Sequence, residues 1–237
     1  MTPFARITNG RESWMSNARV PRHRHDQAYA AIVLSGYYEE CGSLGRFRIG
    51  MGDVLLHGRF EAHLDRFGSR GARILNLVIP EADGFRLNIG CVSDADAIVR
   101  TATTDPAAAA TQLCEQLVDA ARRPSDWPDL LAADLLENPQ LNLGNWARRH
   151  RLAAATISRG FRKIFGLSPA GFRAEARGRH AFAEIDRGTG SLAGVAAACG
   201  FADQAHMSRA IRALTGQSPG HWRATSNPFK TAIIPAA

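Results

Sequence analysis

The stretch Ala197-Ala-Cys-Gly-Phe-Ala-Asp-Gln-Ala-His-Met-Ser-Arg209, continued by Thr215-Gly-Gln-Ser-Pro-Gly-His-Trp-Arg223, repeats an earlier part of the same chain. Aligned at an offset of fifty residues with no gap, 194–224 matches 144–174 at eleven of thirty-one positions. Composition alone would give about two or three. The matches include Gly144/Gly194, Ala147/Ala197, Ala155/Ala205, Ser158/Ser208, Arg159/Arg209, Arg162/Arg212, Gly166/Gly216 and the Ser-Pro pairs 168–169 and 218–219. Ala155, Ser158, Arg159 and Arg162 stand at i, i+3, i+4 and i+7, one face of a helix. The opposite face carries Ile157, Phe161 and Ile164, answered by Met207, Ile211 and Leu214. The apolar face drifts while the polar face is kept, the reverse of what packing alone favours. Such a face serves a partner that presents the same chemistry twice.

Each copy reads as helix, turn, helix. In the first, Leu143–His150 is a short helix with Trp146 and Ala147 inward. A turn near Arg151 and Leu152 leads to a helix over 153–165, which Gly166 ends. Ser168 and Pro169 open a long helix to about Arg187. In the second, Ser191 caps 192–198, Gly200 makes the turn, Asp203 caps 204–215, and Gly216 with Ser218-Pro219 repeats the exit.

Charge separates the two parts of the chain. The 237 residues carry a net +7, but 141–237 holds fourteen Lys and Arg against four acidic residues. Residues 1–140 hold fifteen basic and eighteen acidic side chains. A basic module behind a mildly acidic one points to a polyanion at the C-terminal end. No run of apolar residues is long enough for a membrane span, and the first residues lack the apolar segment of a secretory signal. Cys41, Cys91, Cys114 and Cys199 have no metal-like spacing and read as reduced thiols of a cytoplasmic protein.

Residues 1–90 read as strands: 29–34, 47–49, 54–56 and 73–79 are apolar runs bounded by Gly or Pro, the texture of a small sandwich or barrel. From Asp105-Pro106 the pattern is helical. Leu113, Leu117 and Ala120 form a stripe that serves either as core or as a dimer contact. Arg122–Asp126 is a break, and a second helix runs from Trp127 to Asn138.

The two quoted segments resemble the C-terminal signature of AraC-type transcriptional regulators, with a GF-x-D-x-S-x-F-x-R core and a G-x-S-P-x-x-aromatic-R tail. The resemblance covers roughly 128–225. Ala205, Met207 and Ile211 depart from it, within the same size class. It implies a seven-helix domain with two helix-turn-helix units joined by the helix 169–187, which rises about 27 Å, suited to two recognition helices in successive major grooves. In this picture Ala155, Ser158, Arg159 and Arg162 face DNA in the first unit. Gln204, Ala205, His206, Ser208, Arg209 and Arg212 do so in the second. Arg and Gln can pair with guanine and adenine edges, while Arg162 and Arg212 serve equally well as phosphate clamps. Arg173 and Arg223 read as structural.

In the N-terminal half, His23-Arg24-His25, Gly36, Gly52-Asp53 and His63 resemble the two motifs of cupin barrels. His23 and His25 share a strand face, and three histidines can hold a divalent metal, with His57 as a spare ligand. The carboxylate expected four or five residues after His25 is absent: Tyr29 and Ala30 stand there. A pocket for a small-molecule effector without metal is the alternative.

The expected fold is therefore α+β, an N-terminal cupin-like β-barrel followed by an all-α domain with two helix-turn-helix units. The expected boundaries are 1–100 for the sensor, 101–124 for a linker or dimerisation helix, 125–226 for the DNA-binding domain and 227–237 for a tail. A fragment from near Ser125 is expected to fold and bind DNA alone. The expected partners are double-stranded DNA, an unknown small-molecule effector, a second copy of the chain and, for an activator, RNA polymerase. No catalytic residue is expected. The alternative is a cupin-type metalloenzyme with a helical appendage.

Overall fold

A computed structural model of the chain describes residues 4–79, 89–120, 126–188 and 190–225. Contacts divide the chain into two units, the first running to Pro169 and the second starting at Ala170.

The run Tyr29-Ala-Ala-Ile-Val33 is buried at every position, because both faces of its strand are covered. Ala30 and Ile32 look one way, onto Val54, Leu56, Leu75 and Leu77. Tyr29, Ala31 and Val33 look the other, onto Leu55, Ile74, Tyr38 and Phe67. A strand covered on both sides reads as a continuous apolar run. It opens β3 (Tyr29–Gly42), which pairs along its length with β6 (Ala62–Val78). The preceding strands β1 (Gly10–Trp14) and β2 (Arg19–Arg24) pair with opposite halves of β6. On the other side, β4 (Gly45–Gly50) and β5 (Asp53–His57) take opposite halves of β3.

Both long strands change register between Val33 and Tyr38. There Gly36 (φ +74°) lies against Gly71 (φ +67°), and a Cβ on Gly36 would fall 2.0 Å from the Gly71 carbonyl oxygen. Only glycine permits that approach with that backbone. The sheet continues through β7 (Ile89–Cys91) to a short β8 (Val118–Asp119). Among the described strands its order runs from β1 to β8 without closing on itself. The expected barrel is thus corrected to an open antiparallel sheet. Paired bulges bend the two central strands, so the interior is covered without a closing pair.

Two helices cover the first face: α1 (Ala95–Ala102) and α2 (Pro106–Gln116), the latter capped by Asp105 with Pro106 in its first turn. Ile98, Ala109, Ala110 and Leu113 are buried in the same cluster as Leu75 and Leu77. Of the stripe read as either core or a dimer contact, Leu113 is core and Leu117 packs against it, because an apolar sheet face stood open to them. Of the break at 122–126, only Asp126 lies within the described residues.

The first unit also contains α3 (Trp127–Glu137), α4 (Leu143–Arg149) and α5 (Ala154–Phe165). Trp146 donates from Nε1 to Asp134 Oδ2 at 2.6 Å and stacks on His150 at 3.9 Å. The helix α6 (Pro169–Asp186) begins at the division, and the second unit adds α7 (Leu192–Ala198), α8 (Gln204–Thr215) and α9 (Pro219–Thr225). There Trp222 Nε1 donates to Thr215 Oγ1 at 2.7 Å, and Phe182 meets the Trp222 ring edge-on. With α3 to α9 the described residues supply the expected seven helices. The tail 227–237 lies outside them. Among the described residues no helix is long and apolar enough to cross a membrane.

Candidate functional site

Helices α5 and α8 are the two equivalent outer helices of the repeat. On α5 the side chains of Ile157, Phe161 and Phe165 are buried, while Ala155, Ser158, Arg159 and Arg162 are exposed. On α8 Met207, Ile211 and Leu214 are buried, and Gln204, Ala205, Arg209 and Arg212 are exposed. Ser208 is half-buried, and so is His206, whose ring meets Phe201 edge-on at 5.2 Å. Part of His206 is therefore spent on packing, a limit on its expected role. Arg223 donates to the Gly190 carbonyl at 2.7 Å, the structural use expected of it.

The gapless repeat needs one correction. The backbone bonds Leu152 N to Ala147 O and Phe201 N to Ala196 O are equivalent, an offset of forty-nine residues. So are the caps Asn142 and Ser191, and the buried pairs Trp146-Ala147 and Val195-Ala196. The offset becomes fifty only at the start of α5 and α8. The second turn holds one more residue, and Gly144/Gly194 and Ala147/Ala197 are not structural equivalents.

The C-terminal end of α5 is held by the sheet of its own unit. Arg22 Nη1 on β2 donates to Phe165 O at 3.1 Å. Arg66 Nη2 on β6 donates to Lys163 O at 2.7 Å and Ile164 O at 3.1 Å, and its Nη1 to Glu39 Oε1 at 2.8 Å. These carbonyls are the ones a helix leaves unpaired at its negative end, where cations are favoured. At α3, Arg46 on β4 forms a two-pronged bond with Asp129 (both contacts 2.9 Å) and reaches Asp126 Oδ1 at 2.6 Å. The Arg46 and Asp129 side chains are 12% and 8% exposed. Asp126 stands at the start of α3, but its side chain makes no cap bond and serves Arg46 instead.

The opposite faces of β2 and β6 point inward and carry histidines. His23, His25 and His63 come together as the sequence led us to expect. His23 Nδ1 lies 3.0 Å from Pro21 O and His25 Nδ1 2.7 Å from Ala5 O. A carbonyl only accepts, so both Nδ1 atoms carry the proton and both Nε2 atoms keep a lone pair. His63 Nε2 is 2.8 Å from His23 Nε2 and must donate to it. That leaves His63 Nδ1 bare, facing Glu40 Oε2 at 3.2 Å; His57 Nε2 faces the same oxygen at 3.5 Å. Burial, with the neighbouring imidazoles, pushes His23 and His25 down to about 4 and holds His57 well below the ordinary range. Burial lowers His63 as well, and raises Glu40 well above the carboxylate range. At neutral pH these imidazoles are uncharged and able to act as ligands.

The interior beside this cluster holds a cavity of about 10 Å³, lined by Glu40, His57, Glu61 and His63 among others. That is room for one water or one ion. An outer, more open cavity of about 430 Å³ is lined by Arg11, Leu34, Met51, Arg73, Asp94 and Val99.

The model of a helix-turn-helix domain matches residues 146–225. Residues 146–225 are an AraC-type helix-turn-helix domain. No curated protein matches the chain. Among solved structures, ToxT from Vibrio cholerae is similar over 92% of this chain and 98% of its own, at 7% identity and a TM-score of 0.44. A probable AraC family transcriptional regulator from Rhodopseudomonas palustris covers 43% of this chain and 94% of its own, at 20% identity and 0.37. The DNA-binding domain of AdpA, in complex with a target DNA, covers 46% and 99%, at 25% identity and 0.40. A helix-turn-helix domain is a DNA-binding plan, and here it spans the repeat that carries α5 and α8.

The sequence did not single out Glu40, Arg22 or Arg66. Glu40 lies on the inward face with Tyr38 and was sought near residue 30. Arg22 and Arg66 bond to backbone carbonyls, which no residue type marks.

Proposed function

We propose that the chain is a sequence-specific transcriptional regulator in which α5 and α8 read DNA and the sheet unit holds the effector site that governs them. The exposed Arg159 and Arg209 are the base readers, beside Ser158, Ser208 and Gln204. Arg162 and Arg212 hold phosphates, Ala155 allows close approach, and His206 offers its free edge. One observation carries the control: Arg22 and Arg66 of the sheet hold the last carbonyls of α5. A change on the inner face of β2 and β6 has one peptide to cross before it reaches that grip. The effector acts by biasing how α5 is held, a coupling between two sites of one unit. A regulator that binds genomic DNA works in the cytoplasm, and the regulator reading requires no catalytic group.

The test is selection of genomic fragments by the purified full chain, followed by titration of the selected sequence at several salt concentrations. A defined sequence should emerge, and log K should fall with log salt by about 0.9 for each phosphate held. Binding with no sequence preference, or with no salt dependence, overturns the reading.

A further inference from the structure

We propose that Glu40, His57 and His63 form a binding site for one divalent first-row transition-metal ion, distinct from the cluster of His23, His25 and His63 Nε2.

The ligand atoms are Glu40 Oε2, His57 Nε2 and His63 Nδ1. Both nitrogens are buried and, among the described residues, neither has a hydrogen-bond partner. His57 and His63 are each 5% exposed. An orphaned buried nitrogen is costly, and two that face one carboxylate oxygen call for an explanation. Their distances to that oxygen, 3.2 and 3.5 Å, exceed those of charge-assisted hydrogen bonds. They suit the edges of a tetrahedron: bonds of about 2.0–2.2 Å place neighbouring ligand atoms about 3.3–3.6 Å apart. All three ligand atoms already lie within 4.8 Å of one another.

The protons are also arranged for it. Pro21 O fixes His23 Nδ1–H, so His23 Nε2 must accept from His63 Nε2–H, and the bare Nδ1 of His63 then points inward. A ligating histidine whose second nitrogen donates to a fixed acceptor is the usual supporting arrangement. His23 supports the site without being a ligand. Tyr29 stacks on His57 at 4.2 Å and sets the plane of that ring. The adjoining cavity accommodates one water as a fourth ligand. Two imidazoles and one carboxylate suit zinc, iron, cobalt or nickel, and the absence of thiolate disfavours softer ions. The same 10 Å³ is too small for an organic molecule. Resting on the regulator reading above, the ion is then the effector at this inner site, apart from the outer cavity of about 430 Å³.

The test uses the full chain stripped by a chelator and titrated with Co²⁺ alone. One Co²⁺ per chain is expected, with visible d–d absorption and no thiolate charge-transfer band. Glu40→Gln, nearly isosteric, should weaken binding at least tenfold, and His57→Ala more, whereas His25→Ala should keep the ion. Circular dichroism confirms that each variant is folded; if His57→Ala is not, Glu40→Gln decides. No stoichiometric ion, or one lost in His25→Ala and kept in Glu40→Gln, overturns the site. DNA affinity is measured on the same samples with and without Co²⁺. A change supports the effector role. Equal affinity overturns that role and leaves the site standing, and no DNA binding in either state overturns the regulator reading and not the site.

Discussion

The two helix-turn-helix units share a plan and differ in what holds their outer helix. In the first, α5 has no side-chain cap: Ala153 stands at its start, and its far end is held by Arg22 and Arg66 of the sheet. In the second, Asp203 caps α8 through the amide of His206 at 2.6 Å. Its turn is closed locally, by Arg177 donating to Gly200 O and lying over Phe201. The turn residue itself differs. Arg151 takes the left-handed conformation (φ +54°) in the first unit and Gly200 (φ +71°) in the second. The first outer helix is therefore fastened from outside the repeat and the second from within. Copies of one motif can keep the same exposed side chains while one of them is fastened by a different part of the chain.

This contrast can be broken most forcefully at Arg46. Arg46→Ala leaves Asp129 buried without its partner and should destabilise the first unit by about 3 kcal/mol. The check is denaturant unfolding followed by hydrogen exchange, with the amides of α8 unchanged. Equal loss of protection in both units would mean that they unfold as one.

Next in size are the reading residues. Arg159→Ala and Arg209→Ala should each lower DNA affinity by about 1–3 kcal/mol, and at different parts of the footprint. Thermal stability should stay within about 0.5 kcal/mol. Uniform weakening across all sequences would leave both arginines as backbone clamps.

A smaller effect sharpens the contrast directly. Arg66→Ala removes two bonds to the end of α5 and should cost the first unit about 1–2 kcal/mol. Hydrogen exchange should quicken over the last turn of α5. Unaltered exchange there would show that the grip carries no stability. Least of all, Asp203→Ala should cost the second unit about 1 kcal/mol through the lost cap. The measurement is the unfolding midpoint of that unit, and an unchanged value would mean that the cap is redundant.

Much of the helical half was legible in advance. The bounds of α8, Gln204 to Thr215, follow from Asp203 as cap and Gly216 as the left-handed exit. Both are local signals with local causes. The sheet was legible as strands and misread as a closed barrel, because closure depends on pairing between distant strands. Glu40 shows the difficulty at the level of one residue. Counting alternate positions from Tyr29, Ala31 and Val33 makes odd-numbered residues face inward. The bulges between Val33 and Tyr38 shift the phase, so that Tyr38 and Glu40 face inward instead. Of the paired glycines that cause the shift, Gly36 was read as a motif residue and its partner Gly71 gave no signal in the sequence. The expectation that a fragment from Ser125 is self-sufficient was made without sight of the bonds from the sheet to α5, and folding and DNA binding of that fragment are its test. The sequence marks the repeat and leaves unmarked the arginines that tie its first half to the sheet.

The grip on α5 is made entirely with backbone oxygens. Every helix presents such oxygens at that end, whatever its side chains. Ala155, Ser158, Arg159 and Arg162 can therefore be exchanged one by one without disturbing the three bonds to Arg22 and Arg66. A lineage carrying this fold is free to change the exposed face of α5 while keeping its fastening to the sheet intact. An engineer has the same freedom, since the outer face of α5 can be rewritten as a cassette.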